Sequence, residues 1–247
     1  MLNESQLEVK YHISYVGSQR YYQQSLIEKD YSLENTTPFI LEAGDKVFAT
    51  SSWKQLLLDV CRDFLADNPF RKDELLAFSP SWTPTKEFSS FKRKNWEPVG
   101  DGIYLHSVHT ANHAFWLLRE ILMFFGIKLE TCEFLIHRSC GSEPKEVRDF
   151  FEEKTKNSFR YYYTQLLKKP AERAEQIIRN IETLNKYLKE YSRSYDNFFL
   201  FDNNNVYASY KAKFLDYLRF KKGLDEKNVL VADKYLTVLG DFYKDIR

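Results

Sequence analysis

Apolar and polar positions alternate from Leu7 to Val16 in LEVKYHISYV, a period of two that predicts a half-buried strand. QRYYQQSLIEKDYSLENTTP follows and predicts a short helix passing into a linker. PFILEAGDKVFAT, 38–50, predicts a β-hairpin that turns at Ala43-Gly44-Asp45, where glycine can take positive φ. Ser51 or Ser52 then offers an N-cap to WKQLLLDVCRDFLAD. Its Trp53, Leu56, Leu57, Val60, Cys61 and Phe64 share one helical face, and Asn68-Pro69 ends it. Residues 72–78 predict a further short helix. The three-proline stretch from Ser79 to Gly102 predicts loop, with one strand near Phe88–Phe91. IYLHSV predicts a strand after the Gly100-Asp101-Gly102 turn. Thr110 caps a helix over 111–125 that stops at Gly126, and CEFLIHRS predicts another strand.

Beyond Gly141 the period changes. Glu143-Pro144 opens a helix that the pattern carries to Lys168, and Pro170 starts another. In the second, Ile177, Ile181, Leu184, Leu188 and Tyr191 are spaced four and three apart, a coiled-coil-like seam that calls for an antiparallel partner. SYDNFFLFDNNN breaks the pattern. YASYKAKFLDYLRFKK and EKNVLVADKYLTVLGDFYKDI then predict a second helix pair turning at Gly223. The fold class is therefore α+β: an α/β module over 1–140 with short strands and two amphipathic helices, then an all-helical domain over 141–247.

Composition narrows the function classes. Lys plus Arg number 36 against 35 Asp plus Glu, a net charge of +1. That argues against a strongly cationic, sequence-independent nucleic-acid binder while leaving room for a local basic patch. Only 8 glycines are present, few for a doubly wound nucleotide-binding enzyme. Cys61, Cys132 and Cys140 are odd in number and form no C-x-x-C pair, which fits a reduced, cytoplasmic setting. No leader and no membrane span is expected, because no run approaches the ~18 apolar residues a spanning helix needs. The phosphate-loop, dinucleotide, nucleophile-elbow and EF-hand signatures are all absent, and no catalytic residue is assigned.

Four stretches carry candidate chemistry. HSVHTANH holds His106, His109 and His113, and the last two share a helical face. Three neutral imidazoles suit zinc or another divalent metal, with His137, Cys132 or Cys140 as further ligands from the neighbouring strand. However, Thr110 stands where H-E-x-x-H has its glutamate. The simpler reading is a helix N-terminus furnished with polar partners, and no cofactor is then required. The second stretch, KEFSSFKRKNWEP, interleaves Lys86, Lys92, Arg93 and Lys94 with Phe88, Phe91 and Trp96. Positive charge beside rings is the chemistry of a DNA or RNA groove, although lysines also guard strand edges. The third places Lys211, Lys213, Arg219, Lys221 and Lys222 on one helix, with Lys211 and Lys221 as candidate phosphate contacts. In the fourth, RYYYTQLLKK, successive tyrosines point about 100° apart. At least one must face outward, which suggests a protein partner on the C-terminal helices.

Two resemblances extend this reading. Residues 38–137, through Trp53, Leu56, Leu57, Tyr104, Ala111 and the Phe125-Gly126 helix end, resemble a small α/β module of bacterial restriction and defence-linked proteins. Residues 207–243, through Tyr210, Phe214, Tyr217, Leu218 and Tyr235, resemble the helical arm-binding or core-binding domains of tyrosine recombinases. The recombinase catalytic arginines, histidine and tyrosine have no counterpart here. The resemblances imply an accessory, DNA-associated protein without recombinase activity. The leading expectation is a non-enzymatic, nucleic-acid-associated or adaptor protein of a bacterial defence or mobile-element system. The alternatives are a metal-dependent hydrolase or nuclease using the histidine cluster, and a protein-interaction scaffold.

Overall fold

The computed structural model describes residues 2–17, 19–28, 32–78, 96–100, 102–106, 109–201 and 203–246. Along the chain run α1 (Glu4–Tyr11), β1 (Ile13–Val16), β2 (Gln19–Gln23), β3 (Thr36–Ala43), β4 (Lys46–Ala49), α2 (Trp53–Asp67) and α3 (Lys72–Phe78). After these come β5 (Trp96–Gly100), β6 (Ile103–His106), α4 (Ala111–Phe124), β7 (Glu133–Arg138), α5 (Lys145–Tyr161), α6 (Ala171–Tyr191), α7 (Asn204–Phe220) and α8 (Glu226–Ile246). The architecture is α+β, with the strands ahead of a run of long helices. The chain packs as two compact units: Tyr21–His137, and Met1–Arg20 together with Arg138–Arg247. No helix among the described residues is long and apolar enough to cross a membrane.

In the α/β unit, β2, β7, β3 and β4 lie side by side in that order. β3 and β4 pair antiparallel, with Leu41 opposite Phe48, and Gly44 turns the hairpin at φ +67°. β2 and β7 pair antiparallel, with Tyr22 opposite Ile136. Ser52 caps α2, its side chain accepting from the Gln55 N–H. The buried face of α2 (Leu56, Leu57, Val60, Cys61, Phe64) packs against that of α4 (Phe115, Leu118, Ile121, Leu122). Trp53 locks the start of α2 to the sheet. Its Nε1–H donates to the Thr36 carbonyl at 3.0 Å, and its ring meets Phe115 and Phe134 edge-on. β5 and β6 form a separate hairpin on α2, held by Lys54–Glu97 at 2.6 Å and by Arg62 donating to the Pro98 carbonyl.

Several local expectations are corrected. Residues 7–11 are helical, and only 13–16 of the alternating stretch are strand. Asn3 and Gln6 form a reciprocal capping box, and His12 ends the helix in the left-handed region at φ +49°. Satisfying the first-turn N–H groups outweighs a weak two-residue alternation that buries only Leu7 in α1. Residues 19–23, expected in a helix, are strand, because Arg20, Tyr21 and Tyr22 are all buried and Tyr22 and Gln23 pair with β7. Trp96–Gly100, expected as loop, is strand. The strand expected near Phe88–Phe91 lies outside the described residues.

The second unit confirms the helix pairs. Arg160 pairs with Glu175 and Lys156 with Glu182, so α5 and α6 run antiparallel. Lys211–Asp233 and Arg219–Glu226 show the same for α7 and α8. Ile177, Ile181, Leu184 and Leu188 form the buried seam on α6. The helix opening at Pro144 stops short of Lys168: a π-helical turn occupies Tyr162–Leu166. The wider i→i+5 turn lets two successive tyrosines, Tyr162 and Tyr163, both enter the core while Tyr161 stays 61% exposed. Tyr162 donates to Asp245 at 2.8 Å, tying this turn to α8. The break enters the core at 197–201, where Phe198, Phe199 and Phe201 are all at or below 1% exposure.

Gly141 sits where backbone meets backbone. Its N–H donates to the Ser194 carbonyl at 2.9 Å, and an added Cβ would lie 2.1 Å from the Arg193 carbonyl oxygen. Gly141→Ala is therefore expected to destabilise the protein by about 3 kcal/mol, since neither backbone segment yields as a flexible side chain would. Urea unfolding checks this: the midpoint falls while the slope holds. An unchanged midpoint would mean that the 192–194 segment moves aside freely.

Candidate functional site

The hairpin β5–β6 and the start of α4 bring the histidines together with two tryptophans. Trp96 stands directly opposite His106 across the hairpin, and their rings meet at 5.3 Å. Thr110 caps α4, its hydroxyl accepting from the His113 N–H at 3.3 Å. Positions 109, 113 and 116 are four and three apart, so the cap turns all three toward one side. His106 meets His109 at 5.2 Å, His109 meets His113 at 4.5 Å, and His113 meets Trp116 at 5.7 Å. The result is an unbroken row of five rings, edge to face at its first three contacts and tilted at the last. Trp116 is 43% exposed and His113 is exposed, while Trp96, His106 and His109 are half-buried.

Hydrogen bonding fixes the protonation pattern at the centre. His109 Nε2 bonds the His106 carbonyl oxygen, which can only accept, so Nε2 carries the proton. In the neutral ring Nδ1 then accepts, and His113 Nδ1–H donates to it at 3.1 Å. Burial lowers the His109 pKa below the ordinary histidine value, and the neighbouring imidazoles push the same way against the raising effect of the His106 carbonyl. Both ring nitrogens of His109 are thus engaged within the protein. A metal would have to displace one of these bonds.

The two supplementary metal ligands of this unit are engaged with other neighbours. His137 lies against Tyr21, and Cys132 donates to the Lys128 carbonyl. Cys140 is buried in the other unit, where it donates to Ser194. Among the described residues no group of three His, Cys, Asp or Glu is arranged to hold a metal ion. The burial that lowers the His109 pKa also lets the ring dock as a neutral hydrogen-bonding element, in keeping with a polar helix start.

Lys86, Lys92, Arg93 and Lys94 lie outside the described residues. Trp96 is the member of that stretch which the structure joins to the histidines. In the helical unit, Lys211 is committed to Asp233 at 2.8 Å and to Thr237 at 2.6 Å. Arg219 binds Glu226 and Asp216, and Lys222 binds Glu190. Lys221 is exposed. Three of the five basic residues are thus paired, mostly with carboxylates of α6 and α8, which weakens the field they could present to phosphate. Two residues beyond the sequence candidates stand on this face of α4. Trp116 extends it, and Arg119, one turn further on, donates Nη1 to the Glu28 carbonyl at 3.1 Å while its buried Nε has no partner. The three- and four-residue spacing from His109 through Trp116 to Arg119 was the available signal.

The direction of the His109 shift fixes a pH dependence. The folded state resists protonating this ring, so the unfolded chain binds its proton first as pH falls through about 6.5. The associated stability is full above that value and is lost progressively below it. Thermal unfolding between about pH 8 and pH 5 should show this loss. His109→Gln retains a donor for the His106 carbonyl without titrating, and should flatten the profile. An identical slope in the variant would show that His109 is not the group responsible. No protein-family model, no curated protein and no solved structure matches the chain, so its functional reading rests on this geometry and the sequence around it.

Proposed function

We propose that this chain is a non-enzymatic, nucleic-acid-associated or adaptor protein, and of the two we favour nucleic-acid association. The supporting observation is the ring row of the α/β unit, with a tryptophan at each end. Only one residue separates Lys94 from Trp96, and Lys86, Lys92 and Arg93 precede them in the sequence. Aromatic rings next to a short cationic stretch combine base contact with phosphate contact, the pairing that nucleic-acid grooves use. In this reading Lys92, Arg93 and Lys94 contact phosphate, and Trp96 and its neighbours contact bases. The net charge of +1 fits such a local footprint better than a broad cationic face.

The resemblances to a defence-linked α/β module and to a recombinase helical domain suggest the setting: a bacterial defence or mobile-element system, served without recombination chemistry. The helical unit supplies a place for a partner. At the π-helical turn, Tyr161, Leu166 and Leu167 are all exposed, an apolar cluster consistent with protein docking.

The test is a salt titration of oligonucleotide binding by fluorescence anisotropy. Affinity should fall between about 50 mM and about 200 mM salt, and neutralising Lys92, Arg93 and Lys94 to alanine should reduce the logarithmic salt slope by about 2. Absence of binding to any DNA or RNA at the lower salt would overturn the reading.

A further inference from the structure

We infer that the ring row recognises unpaired nucleobases, so that the ligand is a single-stranded stretch of DNA or RNA rather than a duplex. This rests on the nucleic-acid reading above and specifies what that ligand must expose. Three features carry it. The first is Trp116, an exposed ring on a rigid helix, seated on α4 between buried Phe115 and Leu117. A base can stack on such a ring only when it has left a duplex.

The second is the free edges of the imidazoles. Neither ring nitrogen of His106 makes a hydrogen bond among the described residues, and His113 uses only Nδ1. A neutral imidazole offers one donor and one acceptor. Watson–Crick edges offer the complementary groups, and these are free only in an unpaired base. Rings and edges together therefore match a splayed base on its face and on its rim.

The third is charge. Arg119 is the one cation that follows along this face of α4, and Glu97, beside Trp96, is already paired with Lys54 at 2.6 Å. No lysine, and no arginine besides Arg119, lies on β5, β6 or α4, so the row offers little fixed positive charge to a phosphate backbone. Its contribution to affinity must then come from base contacts, which release no counterions and do not weaken with salt. Phosphate contacts and base contacts are thereby separable by experiment.

The experiment compares a pyrimidine-rich single strand with the duplex of the same sequence by anisotropy, using the full chain and Trp116→Ala. Trp116 is partly exposed, and unfolding curves confirm that the variant is folded. Expected is single-strand binding about tenfold tighter than duplex binding. Trp116→Ala should cost the single strand about tenfold, leave its salt slope unchanged and be largely restored by Trp116→Phe. Duplex binding equal to single-strand binding, or a single-strand affinity indifferent to Trp116→Ala, would overturn the inference while nucleic-acid association stood. Binding to neither form would remove the underlying reading itself and turn the row into a candidate protein contact.

Discussion

The helical unit depends on one buried pair of amides. Asn185 on α6 donates to Asn197 at 2.8 Å, and its own carbonyl accepts from the Phe198 N–H at 2.9 Å. Asn197 accepts from the Phe199 N–H and donates to Glu152 on α5 at 2.7 Å. Glu152 in turn holds Lys156, which also binds Glu182. A non-helical segment cannot enter a helical core unless its backbone groups find partners there. These two side chains supply them, and Phe198, Phe199 and Phe201 follow into the centre of the unit. Burial opposes the Lys156 charge, yet its two carboxylates outweigh that cost and its pKa stays raised. Each member is satisfied, so the network specifies one packing where a purely apolar break would allow several.

A comparable economy holds in the α/β unit, with an indole in place of the amides. Trp53 fills space between Phe115 and Phe134 and still satisfies its N–H on the Thr36 carbonyl. That fixes α2, against which both α4 and the β5–β6 hairpin pack. The ring row lies along the hairpin and helix that α2 supports. Its geometry is therefore set by the core beneath it, and rings held by rigid elements lose little conformational freedom on meeting a ligand.

Elements whose signal was both periodic and punctuated were legible in the sequence. Ser52 and Thr110 cap the helices assigned to them, the Gly44 hairpin forms, and the 177–188 seam is buried. The failures share a physical cause. The capping box at Asn3 and Gln6 acts over three residues and was masked by an alternation of similar length. β2 needs β7, more than a hundred residues away, so its pairing is invisible locally. The π-helical turn answers a demand of the core to bury Tyr162 and Tyr163 together, a demand that no single-helix pattern contains. The site was legible in part. His106, His109 and His113 were found by spacing, but their company with Trp96 and Trp116 comes from hairpin register and helix phase.

That company changes what the histidines can do. Three imidazoles in isolation read as ligands, because each lone pair is then available to a metal. In the folded chain the central ring spends both nitrogens on its neighbours, and desolvation keeps it neutral. What remains uncommitted among the described residues is the nitrogens of His106 and one nitrogen of His113, between two indoles. On the proposed reading, such a surface would discriminate by shape and hydrogen bonding more than by charge. In the basic stretch of α7 and its end, Lys211, Arg219 and Lys222 are paired with Asp233, Glu226 and Glu190, while Lys213 and Lys221 stay exposed. If the proposed nucleic-acid reading holds, selectivity within the described residues is best sought at the rings, and in whether a base is free to meet them.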